Sequence, residues 1–235
     1  MKLSYLMMLL IPTLAFAAGG GNYFPHDPAN IKERDNLSKQ RGAQLYVNYC
    51  LGCHSMQYQR YERVANDLQI PLSIAEEHLI LGDHKVGNLM TNAMDEDDAK
   101  NWFGAAPPDL TLVARVRGVD WLYNYMRAFY VDPERPYGVN NTVFENVGMP
   151  HVLADLQGLQ SYTGDPKAPF KVVKEGSMSP SEYDEAIRDL VNFLAYSGEP
   201  MKLERESLGV KVLLFLLVFI GFAYFLKQEY WKDVH

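Results

Sequence analysis

Cys50-Leu51-Gly52-Cys53-His54 decides how the rest of the chain is read. Two cysteines three positions apart share one helical turn, and a histidine follows directly. Thiols at that spacing can add to the two vinyl groups of a porphyrin, and the His54 imidazole can then turn beneath the ring and bind the iron. A Cys-x-x-Cys pair also serves thioredoxin-like redox chemistry or half of a zinc site, but neither use needs the trailing histidine. The chain has 235 residues and 2 cysteines, so the motif uses both. No second pair completes a zinc ribbon, and no thiol is left for a disulfide. One covalently attached haem c is expected, with Cys50 and Cys53 as anchors and His54 as an iron ligand.

Upstream of the motif, residues 22–35 are polar and carry Pro25 and Pro28, as an extended surface segment would. A helix is expected to start near Asn36 or Ser38, both good N-caps, and to carry Gly42, Leu45, Tyr46 and Tyr49 along one side into the motif. Glycine inside a helix costs about 1 kcal/mol against alanine, a cost that a close helix crossing offsets. A partner for such a crossing lies far downstream. Ser179-Pro180-Ser181-Glu182 is a capping box with proline at the first helical position, and Tyr183, Ile187, Leu190, Val191 and Leu194 follow at helical spacing. Ser197, Gly198 and Pro200 end that helix. The pairing resembles the class I cytochrome c fold, with Gly42 and Tyr46 facing Leu190 and Phe193. The expected architecture is mainly α, with long inserted loops.

Between these helices the fold of 56–102 is not legible. Asp95-Glu96-Asp97-Asp98 there suits a solvated helix start, or a surface that steers a basic partner. Residues 104–110, Gly-Ala-Ala-Pro-Pro-Asp-Leu, form a rigid turn feeding an amphipathic stretch with Arg115 and Arg117. A haem carries two propionates, and a guanidinium supplies a planar fork for a carboxylate, so either arginine can serve one or simply face solvent. Trp121, Tyr123, Tyr125, Phe129 and Tyr130 suit packing around a large flat ring, as they suit any core. For the second axial position Met149 fits best, in the Gly- and Pro-bounded stretch Asn146-Val147-Gly148-Met149-Pro150-His151; a thioether raises the reduction potential because soft sulfur favours ferrous iron. Met90, Met94 and Met178 remain candidates, and His151, His84 or His78 would give bis-histidine ligation.

The two ends of the chain address a membrane. Lys2, the apolar run 6–14 and Ala15-Phe16-Ala17 read as a cleavable signal peptide over 1–17, too short to span a bilayer. Near the other end, 208–226 is apolar apart from Lys211; about 19 helical residues span ~28 Å, close to the hydrocarbon thickness. The expected division is a haem c domain over 18–200, a hinge over 201–207, a transmembrane helix over 208–226 and a tail over 227–235. With the signal peptide fixing orientation, the haem domain is periplasmic and the tail cytoplasmic. A formal charge of -7 and a pI near 5.4 argue against nucleic acid, whose phosphates demand a basic face.

Taken together, Tyr49 to Met56, the Pro107-Pro108-Asp109-Leu110 turn with Arg115 and Arg117, the Asn146-to-His151 stretch and the single C-terminal span resemble the cytochrome c1 family, the haem subunits of bc1 complexes. Their order and spacing cover almost the whole mature chain and are more specific than the haem motif alone. The resemblance implies Cys50 and Cys53 as thioether anchors and His54 and Met149 as axial ligands. It also implies Arg117 at a propionate and Pro108 packed against the haem. It implies an inner-membrane electron relay with cytochrome b, a Rieske iron–sulfur protein and a soluble or membrane-tethered cytochrome c as partners. Mitochondrial relatives have additional cysteines that this chain lacks, so its haem loops must be held without a disulfide. A free-standing membrane-anchored shuttle cytochrome shares the signal, haem and anchor and is the alternative. A haem sensor with an open sixth site belongs to another class, and the ferric spin state separates it from a relay.

Overall fold

The computed structural model describes residues 27–233; the expected signal peptide, 1–17, lies outside them. In chain order the elements are α1 (Asn36–Tyr49), β1 (Met56–Arg60), α2 (Tyr61–Asp67), α3 (Leu72–His78), β2 (Leu89–Met90), α4 (Glu96–Phe103), α5 (Val113–Arg117), α6 (Val119–Arg127), β3 (Phe129–Val131), β4 (Val139–Asn141), α7 (Ala154–Gln157), β5 (Gly158–Tyr162), β6 (Phe170–Glu175), α8 (Pro180–Gly198) and α9 (Lys202–Tyr230). The strands form three separate antiparallel pairs, β1–β2, β3–β4 and β5–β6. This is a mainly helical, class I cytochrome c-like domain with long inserted loops and one apolar C-terminal helix.

The crossing of α1 with α8 organises the core. A Cβ on Gly42 would lie 2.1 Å from the Asp189 carbonyl oxygen and 2.8 Å from the Phe193 Cβ, so only hydrogen fits there. The closest approach therefore falls on Asp189 and Phe193 rather than Leu190, which packs in the same core at 2% exposure. The Tyr46 and Phe193 rings meet at 5.8 Å. Arg41 grips the Asp189 carboxylate through Nε at 2.5 Å and Nη2 at 3.1 Å, fastening the crossing from its open side. Helix α1 starts one residue earlier than expected, on Asp35, whose carboxylate accepts from the Ser38 N–H at 3.0 Å. Asp serves as an N-cap as well as Asn or Ser, and its carboxylate is the group placed to accept from the first turn. The capping box of α8 forms as read: the Glu182 carboxylate accepts from the Ser179 N–H at 2.8 Å, and the Ser179 hydroxyl accepts from the Glu182 N–H.

The stretch 56–102 folds as a small β-α-α-β layer. Met56 lies opposite Met90 in the β1–β2 register, both fully buried, and Tyr61, Val64, Ala65 and Leu68 of α2 and its C-cap are buried in the same core. The acidic run 95–98 is the start of α4. Asp95 caps it, accepting from the Asp97 and Asp98 N–H groups at 2.9 and 3.1 Å, where the helix dipole favours negative charge.

Helices α8 and α9 are separated only at 199–201, with Pro200 breaking the hydrogen-bond ladder. Most of the expected hinge, 201–207, is helical, because its Lys, Leu, Glu and Arg residues are good helix formers. Glu199 ties the break to the next turn through Arg205 at 2.6 Å, and Lys202 pairs with Glu33. At 29 residues α9 is about 43 Å long. Its apolar stretch, of mean hydropathy 2.4, has no residue buried against the rest of the chain. It is long and apolar enough to cross a bilayer, and the chain is membrane-anchored.

Candidate haem site

The last turn of α1 delivers the motif. Cys50 and Leu51 N–H both donate to the Tyr46 carbonyl at 2.9 Å, and the Cys53 and His54 N–H groups donate back to the Cys50 carbonyl at 3.0 and 2.8 Å. These bonds wind 50–54 into one tight turn. Tyr46, buried against α8, donates its hydroxyl to the His54 carbonyl at 2.6 Å and fixes where the turn ends. Burial pushes the Cys50 thiol up to about 12, with Cys53 adding to the shift. That position favours an uncharged sulfur, which is what a thioether is.

The Pro107-Pro108-Asp109-Leu110 turn is stitched directly onto this motif. The His54 Nδ1 lies 2.8 Å from the Pro108 carbonyl. A carbonyl has no proton to give, so Nδ1 carries the hydrogen and the lone pair is left on Nε2, the arrangement that presents a histidine to a metal. Burial lowers the His54 pKa, against the opposing pull of the Pro108 carbonyl and Asp109, so the neutral ring is favoured. Leu110 N–H donates to the Ser55 carbonyl at 2.9 Å. The Asp109 carboxylate accepts from the Gln57 and Thr111 N–H groups at 2.7 and 2.9 Å. Asp109 thus locks the turn against the strand that follows the motif. It was not singled out in the sequence, where the pattern of an acid followed two residues later by threonine was its only local signal.

Met149 sits in the 142–151 loop, half-buried and packed against the core that contains Cys50 and Leu51. Tyr125 of α6 donates its hydroxyl to the Met149 sulfur at 3.4 Å. Two buried asparagines hold the loop. The Asn141 side-chain oxygen accepts from Val143 and Phe144 N–H at 2.9 and 3.1 Å, while its amide donates to the Tyr125 carbonyl at 2.8 Å. The Asn140 side-chain oxygen accepts from Asn146 N–H at 2.9 Å, and Asn146 adopts a φ of +61° that asparagine tolerates. Asn140 and Asn141 are the positioning residues that sequence reading missed, an Asn-Asn pair in a β-rich stretch being the available sign; Tyr125, legible as one of the aromatics suited to a large flat ring, adds a donor to the Met149 sulfur.

The two arginines separate. Arg115 pairs with Glu199 at 3.0 Å. Arg117 has no carboxylate at ion-pair distance among the described residues; its guanidinium lies over the Trp121 ring at 5.0 Å and the Phe144 ring at 5.7 Å. Trp121 stacks on Tyr125 at 4.9 Å, so Arg117, Trp121, Tyr125 and Met149 form one continuous chain of contacts. The other candidate ligands are engaged differently, and two of them stay close: Met178 packs against the same core as Met149, and His151 reaches Tyr125 through Phe129. Met90 is fully buried opposite Met56, His78 is exposed beside Glu77, and His84 faces the Tyr61 ring at 6.2 Å. His151 stacks flat on Phe129 at 4.8 Å, its pKa pushed down to about 4 by burial.

A Cys-x-x-Cys-His turn at the end of a helix crossed by the C-terminal core helix, with a neutral histidine offering Nε2 and a thioether held by a tyrosine, defines a membrane-anchored c-type cytochrome. Residues 28–234 match the cytochrome c1 family model, and the chain belongs to that family. It carries that family's covalently bound c-type haem, which the residues described here fit. The chain is 53% identical to cytochrome c1 of Allochromatium vinosum, with 97% of this chain and 96% of that protein covered. It is 43% identical to a protein of Nitrosomonas europaea named as an ammonia monooxygenase gamma subunit, with 100% and 98% covered. Among solved structures it is similar to a chain of a hyperthermophilic respiratory Complex III, at 16% identity and a TM-score of 0.47, covering 99% of this chain and 95% of that one.

Proposed function

We propose that this chain is the electron-transfer subunit of a quinol:cytochrome c oxidoreductase, a bc1 complex of the inner membrane. Cys50 and Cys53 anchor the haem through thioether bonds, His54 Nε2 and the Met149 sulfur bind its iron, Arg117 meets a propionate and Pro108 packs against the macrocycle. The haem supplies one-electron redox chemistry. The chain takes electrons from a Rieske iron–sulfur protein, supplied by quinol oxidation at cytochrome b, and passes them to a soluble or membrane-tethered cytochrome c. Helix α9 holds the haem domain on the periplasmic side, with 227–235 in the cytoplasm.

The observation that carries this reading is the commitment of His54. Its Nδ1 is occupied by the Pro108 carbonyl and its pKa is lowered by burial, so it is suited to bind metal and unsuited to shuttle protons. A relay needs a filled, rigid coordination sphere and no acid–base pair; the Tyr125-bound Met149 supports the same view.

The test is a tagged full-length chain purified from native membranes in mild detergent, assayed for b-type haem, a Rieske iron–sulfur signal and quinol-dependent cytochrome c reduction. All three travelling with the chain supports the proposal. Covalent haem alone, under conditions that preserve other complexes, gives the tethered-shuttle reading. Co-purifying ammonia oxidation without the other signals gives the role named for the Nitrosomonas relative.

A further inference from the structure

Where the haem domain meets α9, a cavity of about 220 Å³ opens among α1, α5, α8 and the first turn of α9. That is room for several waters, and so for a small polar group. The charged groups around it are not equivalent. Glu199 is bridged by Arg115 at 3.0 Å and by Arg205 at 2.6 Å, and Glu33 is paired with Lys202. Lys39 is 6% exposed and has no carboxylate at ion-pair distance among the described residues; its ammonium lies 5.5 Å from the Tyr196 ring centre. Burial lowers its pKa, against the weaker pull of Asp67, Asp35 and Glu33.

Asn192, 1% exposed, lines the same cavity. It donates its amide to the Lys32 carbonyl and the Ser38 hydroxyl, both at 2.9 Å, and its side-chain oxygen has no partner. The Lys39 ammonium lines the cavity without a carboxylate at ion-pair distance, and the buried Asn192 carbonyl without a donor is costly. One ligand satisfies both if it brings an anionic group and an N–H or O–H together.

Position selects the class of ligand. Leu203 lines this cavity and also a more open one with Arg34, Glu204, Ser207 and Lys211. The apolar run of α9 begins at Leu208, five residues beyond Leu203, or about 7.5 Å along the helix. The headgroup layer of a bilayer is about 5–8 Å thick on each side. The membrane-side rim of the cavity therefore lies at the outer edge of the headgroup layer, within reach of a headgroup that projects from the bilayer, with Arg34, Glu204 and Lys211 beside the route to the hydrocarbon.

We propose that this cavity binds the headgroup of a membrane phospholipid, with Lys39 donating to the phosphate and Asn192 Oδ1 accepting from the headgroup's ammonium or hydroxyl. The acyl chains then lie along the exposed apolar face of α9 from Leu208. Phosphatidylethanolamine and phosphatidylglycerol both carry the required donor, and phosphatidylcholine, with a quaternary ammonium, does not. Glu33 and Glu199 do not repel the phosphate because Lys202, Arg115 and Arg205 neutralise them. A lipid held here fixes the haem domain's height and tilt above the bilayer.

The experiment uses the full-length, haem-loaded protein from native membranes, stripped of lipid in detergent and titrated with each of the three lipids while native mass spectrometry counts bound molecules. One phosphatidylethanolamine or phosphatidylglycerol should be retained, with phosphatidylcholine weaker by about tenfold or more. Lys39→Met should reduce retention of the first two by about tenfold with the haem absorption spectrum unchanged. Equal retention of all three headgroups, or undiminished retention in Lys39→Met, overturns the proposal. Capture of inorganic phosphate with no lipid retained overturns the lipid assignment as well. Should Lys39→Met not yield folded haem protein, the headgroup series on the unsubstituted chain decides alone.

Discussion

Tyr125 donates its hydroxyl to the Met149 sulfur at 3.4 Å, from a ring stacked on Trp121 and set edge-on to Phe129 at 5.3 Å. Burial raises the Tyr125 pKa, so the hydroxyl keeps its proton throughout the working range. A hydrogen bond to sulfur withdraws electron density from it, and a poorer donor favours ferrous over ferric iron. Tyr125→Phe should therefore lower the reduction potential. A hydrogen bond of about 0.5–1.5 kcal/mol corresponds to roughly 20–60 mV for one electron. A redox titration of the purified haem protein gives the answer, and an unchanged or raised potential would remove Met149 from contact with the iron.

Met149→Leu tests the ligand itself. The thioether anchors at Cys50 and Cys53 do not depend on position 149, so the haem should stay covalently bound. Loss of a soft sulfur ligand should lower the potential by on the order of 100 mV or more and abolish turnover. The same titration checks this, together with the denatured-gel haem stain; a wild-type potential in the variant excludes the ligand role.

How far the sequence disclosed this site follows from the range of each interaction. The turn at 50–54 and the capping box at 179–182 are local, so their spacing reads directly. Gly42 was legible as an anomaly, because a glycine in a helix asks for a close neighbour, but its contact with the Asp189 backbone was not. Asp109, Asn140 and Asn141 act on backbone groups brought close only by folding, and polar residues carry no periodic signal; Tyr125 was legible as an aromatic near the ring but not as a donor to sulfur. The 56–102 layer was opaque for a related reason. Its β1–β2 pairing joins Met56 to Met90 across two short helices; β2 has two residues, and β1, though five long, carries a register shift that buries Met56 and Gln59 instead of alternate positions.

Arg117 and Arg115 make a discriminating pair. Arg117 is held over Trp121 and Phe144 without a carboxylate, whereas Arg115 is engaged with Glu199 at the base of the domain. A cation beside a propionate favours the reduced, more negative state of the site. Arg117→Ala should lower the potential by a few tens of mV, the scale of one partly exposed charge-assisted interaction of about 1 kcal/mol. Arg115→Ala should leave the potential in place. Identical potentials for the two variants would return Arg117 to a surface role.

Gly42→Ala is expected to destabilise the haem domain even though alanine is the better helix former by about 1 kcal/mol. The added methyl would meet the Asp189 carbonyl oxygen at 2.1 Å, and that oxygen belongs to the backbone of α8, which cannot rotate away. Overpacking of this kind typically costs about 1–3 kcal/mol, and separating the helices would also stretch the Arg41–Asp189 pair. A thermal melt followed by haem absorbance should show a clear fall in Tm. An unchanged or higher Tm would mean that α1 and α8 are less tightly apposed than their geometry indicates.

The capping box of α8 gives a pH dependence whose sign is fixed. The Ser179 hydroxyl and backbone N–H both donate to the Glu182 carboxylate and hold its pKa below the ordinary value. A depressed carboxylate contributes stability that is present above its unfolded pKa of about 4.3 and is lost as pH falls through the folded value. Glutamine can make the same capping hydrogen bonds but carries no charge. Glu182→Gln should therefore melt below the wild type at neutral pH, and the gap should close as the pH falls below about 4. Paired melts across that range decide it: a gap that stays constant, or widens in acid, would show that the ionised carboxylate adds nothing to the start of α8.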